Sequence, residues 1–239
     1  MTRLPRAAGG ELMDLPDQDA RELERGLADL RRVNVFLLGT RVVLRHLRRL
    51  VAFHPRAEYR VLDVGTGSAD IPLAVDAWAR RAGIRVEIVA TDLHETTLEF
   101  ARRRTAGCEA IRVERADALD LPYADGAFDI AMCNTALHHF DARDDALRVL
   151  REMDRVCSAG AIVSDLARSR PALLGANLLA ATLWRAHPVT RHDGPLSVRR
   201  AFTAAELRGL AADAGLANAR VHSHPVFRIA LVWEKEGGR

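Results

Sequence analysis

From Tyr59 onward, short β-rich runs alternate along the chain with segments of helical periodicity. The helical segments fall near residues 70–82, 95–106 and 142–157. The runs have the length and β-branched content of buried strands, and their sequences are YRVLDVG, VEIVATD, IRVERAD, FDIAMCN and AIVSDL. This alternation predicts an α/β fold with a parallel sheet, covered by helices on both faces and joined by right-handed crossovers.

The last two β-rich runs, ARVHSH and FRIALVWE, are separated by little more than Pro225, which leaves no room for a crossover helix. We therefore expect them to pair antiparallel as a hairpin. The helix before them begins with a capping box formed by Thr203 and Glu206, and it ends at Gly215.

Residues 17–53 precede the alternating region and predict two helices with a break near LLGT. In the second helix, TRVVLRHLRRLV, apolar side chains share one face and arginines share the other. We expect the apolar face to pack on the domain behind it; the alternative is that this basic helix lies on an anionic membrane surface. The predicted organisation is a helical cap over residues 1–56 and a cofactor-binding domain over residues 57–239, with a lid insertion at about 168–200.

Composition fits one such domain, because the chain has 239 residues and 49% of them are hydrophobic. No run approaches the roughly 20 consecutive apolar residues of a membrane span, and the N-terminus has no secretory pattern. Three widely spaced cysteines form neither a metal pair nor a disulfide framework, so we expect a cytoplasmic protein. The net charge of +3 comes from a chain rich in arginine throughout, and it does not by itself indicate a nucleic-acid partner.

The glycine turn in DVGTGSAD carries the first indication of a cofactor. Gly65 and Gly67 end a strand and open a helix, where backbone N–H groups and the helix dipole gather. A dinucleotide fingerprint needs glycine where this chain has Asp70, and a carboxylate there would repel a pyrophosphate. Asp92 ends the next strand, where an acid is placed to accept hydrogen bonds from a ribose diol. Asp117 ends the third run, where its carboxylate and the backbone N–H of the next residue are placed to bind the amino edge of an adenine. The pattern favours a nucleoside-bearing cofactor that is not strongly anionic.

These stretches resemble the class I S-adenosylmethionine-dependent methyltransferases over roughly residues 58–167. VLDVGTGSAD is similar to the first motif of that family, VATD to its ribose-binding second strand, and RADALDLPYADGAFDIAMCNTALHHF to its adenine-binding and fourth-strand region. Ala69 stands where the family usually has a third glycine. The resemblance implies S-adenosylmethionine as cofactor and a doubly wound, Rossmann-like sheet of seven mostly parallel strands, in the order 3-2-1-4-5-7-6 with strand 7 antiparallel. The residues that it implies for cofactor binding are Asp63, Gly65, Thr66, Gly67, Asp92, Leu93, Asp117, Ala118 and Asn134.

The predicted acceptor-binding and basic residues lie at the carboxyl edge of the sheet, where open α/β folds bind ligands. His138 and His139 follow the fourth strand, and His192 lies in the long interval before the capping-box helix. We expect one of these histidines to act as general base; the alternatives are that His138 or His139 packs under the strand and that His192 forms a turn. Trp184, Arg191 and His192 are the predicted acceptor contacts. The apolar stretch PALLGANLLAATLWRA predicts a lid over an apolar pocket.

No metal is expected, because Asp141, Asp144 and Asp145 are explained as the acidic first turn of a helix. The segment from Pro188 to Phe202, interpreted as a loop, and the helix after it resemble methyltransferases encoded beside bacterial polyketide synthases. That resemblance implies secondary metabolism and O-methylation of a hydroxylated, phenolic or polyketide-like small molecule.

Three other functions stay open at this point. C-methylation of a quinone-like or aromatic ring is the closest alternative. RNA or DNA methylation is less favoured, because NTALHHF lacks the two prolines of a base-gripping element and aromatic residues are only 5% of the chain. A non-catalytic cofactor-binding protein is the third alternative. We expect a small-molecule acceptor and no nucleic acid, while acceptor identity, oligomeric state and peripheral membrane contact are undetermined by the sequence.

Overall fold

The computed structural model describes residues 4–15, 19–216 and 218–235, and one sheet of seven strands forms its centre. The strands are β1 (Glu58–Val64), β2 (Arg85–Asp92), β3 (Ile111–Arg115), β4 (Phe128–Asn134), β5 (Cys157–Leu166), β6 (Arg220–His224) and β7 (Arg228–Glu234). Their order is β3-β2-β1-β4-β5-β7-β6, with parallel pairing from β3 to β5 and with β7 antiparallel to both of its neighbours. The predicted fold class, strand order and terminal hairpin are confirmed.

Helices flank both faces of this sheet. In the described part of the chain they are α1 (Ala20–Phe36), α2 (Gly39–Phe53), α3 (Asp70–Ala82), α4 (Glu95–Thr105), α5 (Arg143–Val156), α6 (Arg170–Ala181), α7 (Pro188–Arg200) and α8 (Ala204–Asp213). Short 3₁₀ turns occupy Leu12–Asp14 and Leu137–His139. The capping box predicted at Thr203 and Glu206 is present at the start of α8. Of the helices in the described ranges, none combines the length and the apolar content needed to cross a membrane.

Alternation along β1 explains why both faces of the sheet are covered. Tyr59 and Val61 belong to one apolar layer, whereas Leu62 and Val64 belong to the other. All four side chains are buried. A strand with helices on both faces is apolar at nearly every position, which is why YRVLDVG does not alternate strictly between apolar and polar residues.

The N-terminal helices pack as the amphipathic pattern predicts. Val43, Leu47 and Leu50 of α2 are buried, and α2 contacts β5 and β7. The arginines of α2, including Arg41 and Arg45, are exposed. The apolar face of α2 therefore contributes to the core, while residues 17 and 18 of the predicted first helix lie outside the described residues.

The prediction of a loop from Pro188 to Phe202 is wrong, because residues 188–200 form α7. Proline is favoured at the first position of a helix, which suits Pro188, but Pro195 lies in the helix interior, where it removes a hydrogen bond. Tertiary packing compensates for this loss. The helix buries Val189 and Val198, and Gly194 lets it approach Trp184 so closely that a Cβ would lie 2.8 Å from the indole ring. His192 is therefore part of a helix and not of a turn.

Candidate active site

Two adjoining cavities open at the carboxyl edge of the sheet. The polar cavity, about 330 Å³, lies at the ends of β1, β2 and β4, and the apolar cavity, about 370 Å³, lies among α1, α6 and α7. Four residues line both cavities and form the wall between them: Met13, Leu30, Thr135 and His139. A ligand in one cavity is thus next to a ligand in the other.

The polar cavity gathers the nine residues that the sequence associates with a cofactor. They are Asp63, Gly65, Thr66, Gly67, Asp92, Leu93, Asp117, Ala118 and Asn134. They come from the ends of β1, β2 and β4 and from the segment after β3, and parallel strands bring these ends to one edge.

The glycine turn forms the floor of the polar cavity. Gly65 has φ +69°, and a Cβ there would lie 2.7 Å from the Cβ of Ala136. Gly67 has φ +56°, and its backbone N–H donates a hydrogen bond to Asp92 Oδ2 at 3.0 Å. Ala69 adopts the same left-handed conformation with φ +56° and is fully buried. The turn therefore keeps its shape with alanine at the third position, and it orients the Asp92 carboxylate.

Carboxylates dominate the electrostatics of the polar cavity. Burial raises the pKa of Asp63 to about 7, and it also raises the pKa of Asp70 and of Asp92. Nearby charges of the same sign contribute to the shift at Asp63. The Oδ1 atom of Asn134 is buried in the same cavity without a hydrogen-bond partner. These groups suit a ligand that brings positive charge and N–H donors, and they disfavour a diphosphate.

The apolar cavity is walled by aliphatic side chains of three helices. Residues 189, 190, 193, 194, 197 and 198 of α7 line it at helical spacing, and Trp184 closes one side. Arg191 and His192 do not line it, because they lie on the solvent face of α7. Of the predicted acceptor contacts, the structure thus brings Trp184 to the cavity, but neither Arg191 nor His192.

His138 is enclosed between two acids. Its Nδ1 lies 2.8 Å from Asp165 Oδ1, and its Nε2 lies 3.3 Å from Glu11 Oε1. Burial alone would lower the pKa of His138, but the carboxylates of Asp165 and Glu11 outweigh burial and raise it to about 10. At neutral pH His138 is therefore an imidazolium, which has no free basic atom.

His139 has a different environment. Its Nδ1 lies 2.7 Å from Asp14 Oδ2, its Nε2 lies 3.9 Å from Glu11 Oε2, and its side chain is 23% exposed. The carboxylate fixes the orientation of the ring and leaves Nε2 as the atom available to a ligand. His139 and Asp14 thus form a histidine–aspartate pair at the wall that the two cavities share.

Sequence reasoning missed the contribution of residues 4–15, which we call the N-terminal strap. Arg6 donates hydrogen bonds to the carbonyl oxygens of Phe140 and Asp141, at 2.8 and 2.9 Å. The backbone N–H groups of Leu12 and Met13 donate to the Asp193 carboxylate at 2.8 and 3.0 Å. The strap therefore carries Glu11 and Asp14 to the two histidines. No local sequence pattern predicts these contacts, because they join residues more than a hundred positions apart.

Glu11, His138 and His139 form the one group in the described ranges whose ligand atoms, all within 4.8 Å, have the geometry of a metal site. Charges already present oppose a cation there. Glu11 Oε1 faces the His138 imidazolium and also lies 3.8 Å from Nη1 of the buried Arg200 guanidinium. The absence of a metal stays a prediction.

Comparison with known proteins agrees with this geometry. Residues 62–164 match the family model of a methyltransferase domain. Demethylmenaquinone methyltransferase from Staphylococcus epidermidis is 32% identical over 114 residues, which are 48% of this chain and 45% of that protein. The chain thus spans about half the length of the curated relatives that it matches.

Solved structures share the fold. A SAM-dependent methyltransferase from Aquifex aeolicus superposes with a TM-score of 0.63 at 18% identity, covering 90% of this chain and 98% of that one. The CMeT domain of the citrinin polyketide synthase gives a TM-score of 0.60 at 15% identity, covering 81% of this chain and 51% of that one. Residues 62–164 are thus similar to a methyltransferase domain, and the solved structures share the fold of the whole sheet.

Proposed function

We propose that this protein is an S-adenosylmethionine-dependent methyltransferase and that it transfers the methyl group to a hydroxyl of an apolar small molecule held in the apolar cavity. The observation that supports the proposal is the position of His139, on the wall between the polar and apolar cavities, with its ring oriented by Asp14. A base at that wall reaches an acceptor hydroxyl next to the cofactor.

The residues of the polar cavity have distinct proposed roles. Asp63 and Asn134, with the turn from Gly65 to Gly67, hold the methionine end; Asp92 and Leu93 bind the ribose; Asp117 and Ala118 bind the adenine. Each Asp92 oxygen already accepts one backbone N–H, from Gly67 and from His94, and a carboxylate has lone pairs left for a ribose diol. The cofactor supplies an activated methyl group on a sulfonium, and the surrounding carboxylates favour its positive charge.

The affinity for S-adenosylmethionine should fall in acid. Below the Asp63 pKa of about 7, the free protein carries a neutral Asp63 that must lose its proton to stabilise the cation. Below that pKa, each unit by which the pH decreases raises the dissociation constant by up to about tenfold. Above that pKa, the dissociation constant is nearly independent of pH. Calorimetric titration between pH 5 and 8 measures this, with Asp63→Asn as the matched control whose profile is flatter. A wild-type affinity independent of pH contradicts the role given to Asp63.

Besides aligning the acceptor with the cofactor, the protein accelerates the removal of the acceptor's proton. When the acceptor oxygen forms its bond to the methyl carbon, its proton must leave, and His139 Nε2 accepts that proton while Asp14 stabilises the resulting imidazolium. His138 is already protonated, and His192 is half exposed outside both cavities. His139 is therefore the one of the three predicted bases that we assign to catalysis.

The apolar cavity limits the acceptor to a largely apolar molecule. Helices α6 and α7, within the predicted lid at 168–200, cover it together with α1 of the predicted cap. Such walls exclude water and hold the acceptor against the cofactor, which is the main requirement of an in-line methyl transfer.

C-methylation of a quinone-like ring is a second candidate, because the relative from S. epidermidis is named for demethylmenaquinone. The same base serves both reactions, since removal of a phenolic proton raises electron density on the ring carbons. The resemblance to methyltransferases of polyketide pathways supports a phenolic acceptor in either case.

Transfer of isotopically labelled methyl from S-adenosylmethionine to a panel of acceptors tests the proposal. The panel contains alkyl phenols, a naphthohydroquinone and an RNA oligonucleotide. We expect label on a phenol or hydroquinone and none on RNA, and the product's NMR spectrum distinguishes an O-methyl from a C-methyl group. Label on RNA alone contradicts the proposal, and a C-methyl product favours the second candidate.

A further inference from the structure

Exposed apolar side chains surround the mouth of the apolar cavity. Leu178, Val226 and Phe227 line the cavity and are nevertheless 64%, 39% and 44% exposed. Leu174 lies one turn before Leu178 on α6 and is 72% exposed, and Leu183, beside the cavity-lining Trp184, is 73% exposed. With Phe36 at the end of α1, which is 75% exposed, we call these residues the apolar rim: Phe36, Leu174, Leu178, Leu183, Val226 and Phe227.

The backbone holds part of this rim at a steric cost. Val226 and Phe227 have φ +57° and +56°, a left-handed conformation that a β-branched residue rarely adopts. The Phe227 carbonyl accepts a hydrogen bond from the Ala167 N–H at 2.8 Å, which ties the turn to the end of β5. The turn joins β6 to β7, and hairpin turns commonly need residues with positive φ; this one presents two apolar side chains at the cavity mouth.

The two segments that carry most of the rim are rich in arginine. Residues 30–56, which include Phe36, contain seven arginines and no aspartate or glutamate, and of these arginines Arg32 pairs with Asp29 and Arg56 with Asp129. Residues 170–192, which include three leucines of the rim, contain three arginines and again no acid. Arg41, Arg185 and Arg191 are exposed. Exposed apolar side chains near these exposed arginines complement an anionic lipid surface, whose headgroups meet the guanidinium groups and whose acyl boundary accepts the leucines.

We infer that the apolar rim docks onto an anionic lipid bilayer and that the acceptor enters the apolar cavity from the lipid. The second part rests on the proposed function, because it takes the apolar cavity as the acceptor site. Docking places the mouth of the cavity against the acyl boundary, so an apolar acceptor moves from lipid to protein without crossing water. The first part concerns the surface alone and is tested without acceptor.

Co-sedimentation with vesicles tests the docking. The wild-type protein binds vesicles of phosphatidylglycerol and phosphatidylcholine in equal parts, binds pure phosphatidylcholine weakly, and is released by added salt. Leu174→Glu and Leu183→Glu each lower partition onto the mixed vesicles about tenfold, since each replaces a leucine that the bilayer buries with a charge. Phe53→Glu is the matched control: Phe53 is 68% exposed at the far end of α2 and outside the rim, and its variant binds like wild type.

The outcomes separate docking from catalysis. Calorimetry with S-adenosylmethionine shows that each variant retains the wild-type fold and cofactor affinity. If the wild-type protein stays in the supernatant, or if Phe53→Glu and Leu183→Glu behave alike, the docking inference is overturned. A wild-type dimer that Leu174→Glu converts to a monomer also overturns it, because the rim then covers a second copy. Vesicle binding without methyl transfer to any acceptor leaves docking in place and counts against the proposed function instead.

Discussion

The His139→Gln variant turns over about 10²- to 10⁴-fold more slowly than wild type, while its affinity for S-adenosylmethionine changes little. The reason is chemical. Glutamine keeps a polar side chain at the shared wall but has no basic nitrogen, so the acceptor hydroxyl keeps its proton as the methyl carbon approaches. Rapid-quench measurement of a single turnover, with the acceptor identified by labelling, isolates this step from product release.

Two further variants control for this result. Asp14→Asn removes the carboxylate that orients His139, so we expect a smaller loss of turnover than for His139→Gln and a changed pH profile of kcat. His192→Gln changes the same residue type on the solvent face of α7, where it lines neither cavity, and should turn over like wild type. If His139→Gln keeps a near-normal rate, catalysis consists of alignment alone and His139 is not the base.

The His138→Gln variant loses about 3–5 kcal/mol of folding stability, because it leaves the buried carboxylates of Asp165 and Glu11 without their shared cation. The loss is measured by urea unfolding at pH 7. A triple variant that also carries Asp165→Asn and Glu11→Gln is expected to be more stable than His138→Gln alone, since no uncompensated charge remains. A single variant as stable as wild type would show that His138 is not an ionic link.

The pH dependence of wild-type stability follows from the same link. The folded-state pKa of His138, about 10, lies above its ordinary value of 6.5. The contribution of His138 to the free energy of unfolding is therefore complete below pH 6.5 and is lost as the pH rises through about 10. The pKa values of Asp165 and Glu11 are lowered despite their burial, mainly through His138, so their contribution is present at neutral pH and is lost in acid. We expect the free energy of unfolding, measured with urea, to fall at alkaline pH in the wild-type protein and not in His138→Gln.

Periodicity predicted the sheet because its signals are local. Each strand of the parallel region is a short β-rich run bounded by a turn, and the closeness of ARVHSH to FRIALVWE left a hairpin as the only connection. The residues of the polar cavity were predictable for the same reason. They follow directly after strands, and parallel strands bring their carboxyl ends to one edge.

The acceptor side was less predictable, because long-range contacts decide it. Pro188, Gly194 and Pro195 suggested a loop, yet packing against Trp184 and the strap makes the segment helical and turns His192 to solvent. His138 and His139 are neighbours in sequence with different roles, and only the acids that reach them distinguish the two. Glu11 and Asp14 come from the N-terminal strap, where no motif marks them.

Calorimetric titration with S-adenosylmethionine, S-adenosylhomocysteine and NAD tests the central claim most directly, namely that the carboxylate-lined polar cavity is the cofactor site. We predict saturable binding of the two sulfur-containing ligands and no binding of NAD, because Asp63, Asp70 and Asp92 disfavour a diphosphate. Binding of NAD, or no binding of S-adenosylmethionine, would contradict it.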